Sequence, residues 1–191
     1  MKAFLPFILF LSFTLVGFAQ QDYPDSGFTN KAEGKINLSD SNPNEGRWVE
    51  YEDLDGNDSK DTNAPFYVLK VYKDGESYGI ERAYYKSGKL YRVTPYKNGK
   101  TNGIEKEYYE NGVLKSEMPY IDDKVVGIAK WYSESGKLYV EETFMVSIDG
   151  GEEVNETKFF DGKGKLYQKH ISSDTGTTVY YYDENGNEIK K

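Results

Sequence analysis

Between Gly79 and Phe144 the apolar and polar positions repeat with a period of 24 residues. Gly79, Gly103 and Gly127 keep that spacing, and so do Ile80, Ile104 and Ile128. The same holds for Tyr84, Tyr108 and Tyr132, for Gly88, Gly112 and Gly136, and for Leu90, Leu114 and Leu138. Tyr96, Tyr120 and Phe144 complete the series. A fixed period of this length marks tandem units that bury their apolar surface by stacking on one another. Tyr72-Lys73-Asp74-Gly75 extends the array forward, lying 24 residues before Tyr96-Lys97-Asn98-Gly99. Phe159-Phe160-Asp161-Gly162 opens a later unit, displaced to 28 residues by an insertion around Ser147 to Asn155. Trp48-Val49-Glu50-Tyr51 at the front and Tyr181-Tyr182-Asp183 at the back read as degenerate end units, which cap such stacks.

Within a unit the pattern predicts a β-hairpin. Residues 80–85 form the first strand, Lys86-Ser87-Gly88-Lys89 the turn, and residues 90–96 the second strand. Gly supplies the positive φ of the turn, and Asn98-Gly99 turns the chain into the next unit. Alternation places Ile80, Arg82 and Tyr84 on one face and Glu81, Ala83 and Tyr85 on the other. It groups Leu90, Thr94 and Tyr96 on one side of the second strand, with Tyr91, Val93 and Pro95 opposite. The recurrent Ile, Tyr, Leu and Tyr/Phe positions are the expected core face. Pro95 and Pro119 fall inside second strands, where a missing N–H requires a bulge or an early end to pairing. The fold class is therefore all-β: tandem hairpins forming an extended, twisted antiparallel meander sheet.

The flanks change the picture in two ways. Residues 4–16 are almost wholly apolar, and Gly17-Phe18-Ala19 places small residues before a cleavage point. A run of about 13 residues is short of the roughly 20 that span a bilayer. Residues 1–19 thus read as a secretory signal peptide, and the protein is expected to be secreted or periplasmic. Residues 20–45 are polar and rich in turn formers, and read as a disordered linker before the repeat domain at 46–191. The chain has 24 Lys and Arg against 32 Asp and Glu. That acidity argues against nucleic acid and against contact with an anionic membrane after signal cleavage. The absence of cysteine excludes disulfides, thiolate metal sites and a cysteine nucleophile.

The recurring G-I-x-K/R-x-Y-Y-x-x-G-K-L-x-x-x-x-x-Y-x-N-G-K unit resembles the MORN-repeat variant, found in bacterial proteins labelled as the YwqK family of antitoxins. The resemblance runs from about Trp48 to Ile189 and is tightest over Gly79 to Phe144. It implies tandem hairpins in an extended sheet, a scaffold that binds proteins or associates with membranes, and no catalytic motif. An antitoxin role is implied only for some members, and an exported chain sits awkwardly with it.

Candidate chemistry is sparse. His170 is the single histidine and aligns with Glu142, Met118 and Thr94, which share no chemistry with it; it reads as a strand-surface residue. Carboxylate pairs such as Glu105 and Glu107, or Glu141 and Glu142, are what any acidic sheet carries; hydrolysis would further require a cleft that pushes two pKa values apart. Asp53-Leu54-Asp55-Gly56-Asn57-Asp58 and Asp183-Glu184-Asn185-Gly186-Asn187 hint at calcium loops, but Asp58 and Glu188 stand where an EF-hand needs Gly. Both read as turns. No catalytic residue, metal ligand set or cofactor is expected. Tyr85, Tyr91, Tyr109, Trp131 and Tyr139 lie opposite the recurrent apolar set. They are the candidate binding residues, or else cross-strand pairs that support the sheet. The expected function is a non-enzymatic scaffold for a protein partner, with an envelope glycan as the second candidate ligand.

Overall fold

The computed structural model describes residues 28–36, 45–146, 152–173 and 176–189. The expected signal peptide at 1–19 lies outside them, as do residues 147–151 of the insertion. A single 3-10 turn, Lys31–Glu33, precedes seventeen strands. These are β1 (Lys35–Ile36), β2 (Gly46–Glu52), β3 (Asp58–Ser59), β4 (Phe66–Lys73), β5 (Glu76–Ser77) and β6 (Gly79–Tyr85). Then come β7 (Leu90–Lys97), β8 (Lys100–Thr101), β9 (Gly103–Tyr108), β10 (Leu114–Ile121), β11 (Lys124–Val125) and β12 (Gly127–Tyr132). The last are β13 (Leu138–Val146), β14 (Glu152–Phe160), β15 (Leu166–Ser173), β16 (Gly176–Tyr182) and β17 (Glu188–Ile189).

From β2 onward every pairing is antiparallel and between strands one or two places apart along the chain, so the sheet is an open meander. β1 adds to β2 in parallel. The long strands of each repeat match the expected hairpin. The two-residue strands β5, β8 and β11 continue the ladder around the turns between repeats.

The turn within each hairpin follows from one glycine. In the second matched unit the Gly112 N–H donates to the Tyr109 carbonyl and the Tyr109 N–H to the Val113 carbonyl. Gly112 has φ +86°, and a Cβ there would meet nothing within 4 Å. The cost of a side chain is therefore backbone strain alone. Gly112→Ala is expected to lower the unfolding free energy by about 1–2 kcal/mol, the cost of a left-handed L-residue, read from the urea midpoint. Gly112→Asn is expected to cost less, because Asn tolerates this region.

A second recurrent device was not visible in the sequence. The register of each hairpin shifts by one residue just after the recurrent leucine, so that Tyr84 faces Leu90 while Ala83 faces Arg92. Comparable shifts occur at Leu114/Ser116, Trp131/Tyr132 and Phe159/Phe160. A one-residue shift reverses the face of everything beyond it. The expected grouping in the second strand is corrected accordingly. Val93 and Pro95 face Arg82 and Ile80, while Thr94 faces Glu81. The recurrent set is thus divided. Ile80, Tyr84 and Leu90 share one face, here the Ile face, and Tyr96 lies on the other, here the Trp face after Trp131.

The prolines sit at the irregularity their chemistry demands. The Pro95 carbonyl accepts from the Asn102 N–H on the β9 side, so its absent N–H would have pointed the same way. There the pairing of β7 passes from β9 to β8 with a slip of two residues, between Val93↔Lys106 and Tyr96↔Thr101. Pro119 and Val126 repeat the arrangement at the next junction, with Gly127 at φ +110° against the proline ring.

The core also departs from expectation. Ile104 and Ile128 on the Ile face are 36% and 42% exposed, whereas Ala83 and Ala129 on the opposite face are fully buried. Only the front of the Ile face is covered. There Phe28, Val49, Tyr51, Ala64 and Leu69 form a buried cluster, with Tyr67, Val71 and Tyr84 against it. Phe28 comes from the segment expected to be a disordered linker. Within that segment residues 28–36 pack on β2, with Arg47 paired to Glu33 at 2.7 Å and the Lys31 ammonium 4.8 Å from the Tyr67 ring centre. The isolated Phe28 in a polar sequence gave no periodic signal.

Candidate functional site

One row of directly opposed residues crosses the Trp face from β4 to β16. It runs Val68, Ala83, Arg92, Glu107, Ser116, Trp131, Val140, Phe159, Gln168 and Tyr181. Its character changes along the way. Toward the front it carries the charges of Arg92 and Glu107, and the stretch Trp131–Val140–Phe159 is apolar.

The charges around Arg92 are held in paired groups on this face. Arg92 Nη2 donates to both Glu52 carboxylate oxygens at 3.1 Å and to Glu81 Oε1 at 3.4 Å. Small Ala83 beneath lets the long side chain lie across the sheet to β2. Lys70 Nζ stands 2.7 Å from Glu50 Oε2, and the Tyr72 hydroxyl donates to the other oxygen at 2.9 Å. The Thr94 hydroxyl donates to Glu105 at 2.7 Å. Glu107 accepts from the Tyr91 hydroxyl and pairs with Lys115 at 3.0 Å. The Arg92, Glu52 and Glu81 side chains are 18%, 5% and 5% exposed. This assembly escaped sequence reasoning because its members are non-local: Glu52 and Arg92 are 40 residues apart.

Burial acts first on each charge here. It pushes the Glu81 carboxyl up from 4.5 to about 6, against the pull of Lys70 and Arg92. Burial also works against the charge on Lys70, but Glu81 and Glu50 outweigh it and hold its pKa above the usual range. Burial raises Glu105 too, the Thr94 hydrogen bond opposing it. Tyr96, buried nearby, is pushed up to about 12. For Glu81 the folded pKa exceeds the unfolded one, so the native state binds the proton more tightly. Its contribution is fully present below about pH 4.5 and is lost as the pH rises through 6. The difference is worth about 2 kcal/mol. Stability by urea unfolding is expected to rise between pH 7.5 and pH 5. Glu81→Gln is expected to flatten most of that rise, leaving the smaller share due to Glu105. An unchanged slope in E81Q would show that the rise has another source.

The five sequence-predicted residues fall into two groups. Tyr91 stacks on Phe66 at 4.3 Å, and Tyr85 meets both rings at 5.2 and 5.5 Å. The Tyr85 hydroxyl donates to the Tyr108 carbonyl at 2.7 Å, and the Tyr109 hydroxyl to the Tyr132 carbonyl at 2.8 Å, each tying one repeat to the next. These three support the sheet. Ser133 replaces the tyrosine in the next unit, and the series of ties stops there. Trp131 is half-buried on β12, and Tyr139 is 43% exposed on β13.

The other candidates are placed simply. His170 lies on β15, 5.0 Å from the Phe159 ring and 2.7 Å from the Gln168 amide. Glu105 and Glu107 share the Trp face, bound as described, whereas Glu141 and Glu142 point to opposite faces. Asp53 Oδ1 accepts the N–H groups of Asp55 and Asn57, and Asp183 Oδ1 those of Asn185 and Asn187. Those hydrogen bonds depress both carboxyls and make the two segments turns. Among the described residues no group of three or more His, Cys, Asp or Glu is placed to hold a metal ion. No described helix is long and apolar enough to cross a membrane.

No curated protein matches the chain. The crystal structure of TarM is similar over 60% of this chain and 20% of that one, at 20% identity and a TM-score of 0.29. The chain thus spans a fifth of the length of that protein. The family described as the MORN repeat variant matches residues 78–98, 101–122 and 125–145. These three stretches coincide with the 24-residue units, so the middle of the chain is similar to a tandem array of MORN-variant repeats.

Proposed function

We propose that the protein is an exported, non-enzymatic repeat scaffold that binds a protein partner through the Trp face at β12 to β14. One observation carries this reading: the uninterrupted apolar row Trp131, Val140 and Phe159, beside exposed Tyr139. Nearer the front of this face Tyr85, Tyr91 and Tyr109 are committed to ring contacts or to hydrogen bonds across the sheet. Trp and Tyr at the centre of an apolar patch are the usual anchors of protein interfaces. An envelope glycan could use the same rings by stacking. An antitoxin role would need a toxin as the partner, on the same surface.

The test is a pull-down from envelope extract with the wild-type chain and with Trp131→Ala and Tyr139→Ala. A stoichiometric protein recovered by the wild type and lost from both variants, at unchanged circular dichroism, supports the reading. Retention on immobilised glycans that the same substitutions abolish, without a protein partner, would move the assignment to carbohydrate. Recovery of the partner undiminished by either variant would place the interface elsewhere.

A further inference from the structure

We propose that Asn98 is a site of spontaneous covalent modification, where attack by the Gly99 backbone nitrogen converts the side-chain amide into a carboxylate. This goes beyond the proposed scaffold function. It needs only water as a reactant, and it lies at the turn between β7 and β8, not on β12 to β14.

The chain contains four Asn-Gly sequences, at 98–99, 102–103, 111–112 and 185–186. Asparagine is a thermolabile residue, and a following glycine has no side chain to hinder its own nitrogen. In the reaction that nitrogen gives up its proton and forms a bond to Asn Cγ. The Cγ–Nδ2 bond breaks, and the amide nitrogen leaves as ammonia with the proton. Water then opens the five-membered imide. Opening on one side gives Asp. Opening on the other gives isoaspartate, in which the main chain runs through the former side-chain carbon.

The structure restrains three of the four sites. Asn111 Nδ2 donates to the Glu134 carbonyl at 3.1 Å, and its Oδ1 accepts the Val113 N–H at 2.9 Å. The Gly112 N–H donates to the Tyr109 carbonyl. Asn102 Nδ2 donates to Asp122 Oδ1 at 3.0 Å, and Gly103 lies in β9 opposite Tyr120. The Gly186 N–H donates to the Asp183 carbonyl at 3.0 Å. Asn98 differs from all three. It is exposed, with φ +52°, and Gly99 follows at φ +72°. The ladder closes at Lys97↔Lys100, so the two reacting residues lie outside it. Among the described residues no hydrogen bond engages the Asn98 side chain or the Gly99 N–H. The adjoining turns hold Asp74 and Asp122 at the same place, at φ +54° and +48°. The turn therefore accepts Asp, and the reaction adds a charge there without undoing the fold. The isoaspartate product instead lengthens the main chain by one carbon between Lys97 and Lys100.

The test is to age the purified full chain at pH 8.5 and map its peptides by mass spectrometry. The mass gain of deamidation is expected first at Asn98. Asn111 must open its hydrogen bonds before it reacts, so it should lag by about tenfold. The Asn98 rate should fall at pH 6.5, because the attacking nitrogen has to lose its proton. A methyltransferase specific for isoaspartate should label the Asn98 peptide of the aged wild type. It should leave that peptide unlabelled in Asn98→Gln, whose longer side chain would have to close a larger ring. In concentrated urea the four Asn-Gly sites should react at similar rates, since the folded chain sets the preference. Equal rates for Asn98 and Asn111 in the folded chain overturn the inference. So does a preference for Asn98 that persists in urea, or an Asn98 that reacts in urea but stays intact in the folded chain.

Discussion

Replacing Arg92 by alanine is expected to destabilise the sheet by about 3–5 kcal/mol, the cost of breaking a buried ion pair from one side. The guanidinium bridges two carboxylates, each 5% exposed. Its removal leaves Glu52 buried without its bonded cation and Glu81 facing only the charge of Lys70. The size of the loss comes from that desolvation, more than from the attraction removed. Three corollaries distinguish the two sources. Arg92→Lys keeps the charge on a shorter side chain whose ammonium falls short of Nη2, the nitrogen that makes all three contacts, so it should fall between wild type and R92A. The triple change R92M, E52Q and E81Q removes all three charges together and should recover most of the loss, since neutral replacement of a buried ionic cluster is often neutral or better. Lowering the pH to 5 should shrink the R92A penalty, because Glu81 then carries a proton. A loss under about 1 kcal/mol in R92A would mean that the network behaves as a surface ion pair.

The network also shows where sequence reasoning stops. The hairpins, their glycine turns and the irregularity at Pro95 and Pro119 were legible, because each depends on a short stretch of chain with a fixed chemical requirement. Gly112 must tolerate a positive φ, and a proline must lack a hydrogen bond. The bulge after the recurrent leucine was not legible. Leu90-Tyr91-Arg92 alternates acceptably with or without it, and only the opposing strand reveals the slip. That slip carried Thr94 and Tyr96 to the other face and assembled the ionic cluster. The candidate site was half legible. Tyr85, Tyr91 and Tyr109 were found as aromatics off the recurrent face, but their hydroxyls bind the neighbouring strand or repeat, which a single unit does not disclose.

Recurrence and burial also part company on the Ile face, and one pair of substitutions measures this. Leu69 belongs to no recurrent class, yet it is fully buried against Phe28, Val49, Tyr51 and Ala64. Leu69→Ala is expected to cost about 2–5 kcal/mol, the transfer of its side chain plus the cavity left behind. Ile128 is one of the three recurrent isoleucines but is 42% exposed on the same face. Ile128→Ala is expected to cost less than about 1 kcal/mol. The contrast arises because residues 28–36 and the loop bearing Ala64 cover the sheet only at β2 and β4. Farther along, Ile104 and Ile128 lie beside the cross-strand charges Lys106, Glu117, Lys130 and Glu141, whose aliphatic stems shield them only in part. Phe28→Ala should behave like L69A, because it opens the same cluster from the other side. Equal losses for L69A and I128A in urea unfolding would mean that the Ile face is covered along its length, and the buried cluster at the front would then not be the centre of stability.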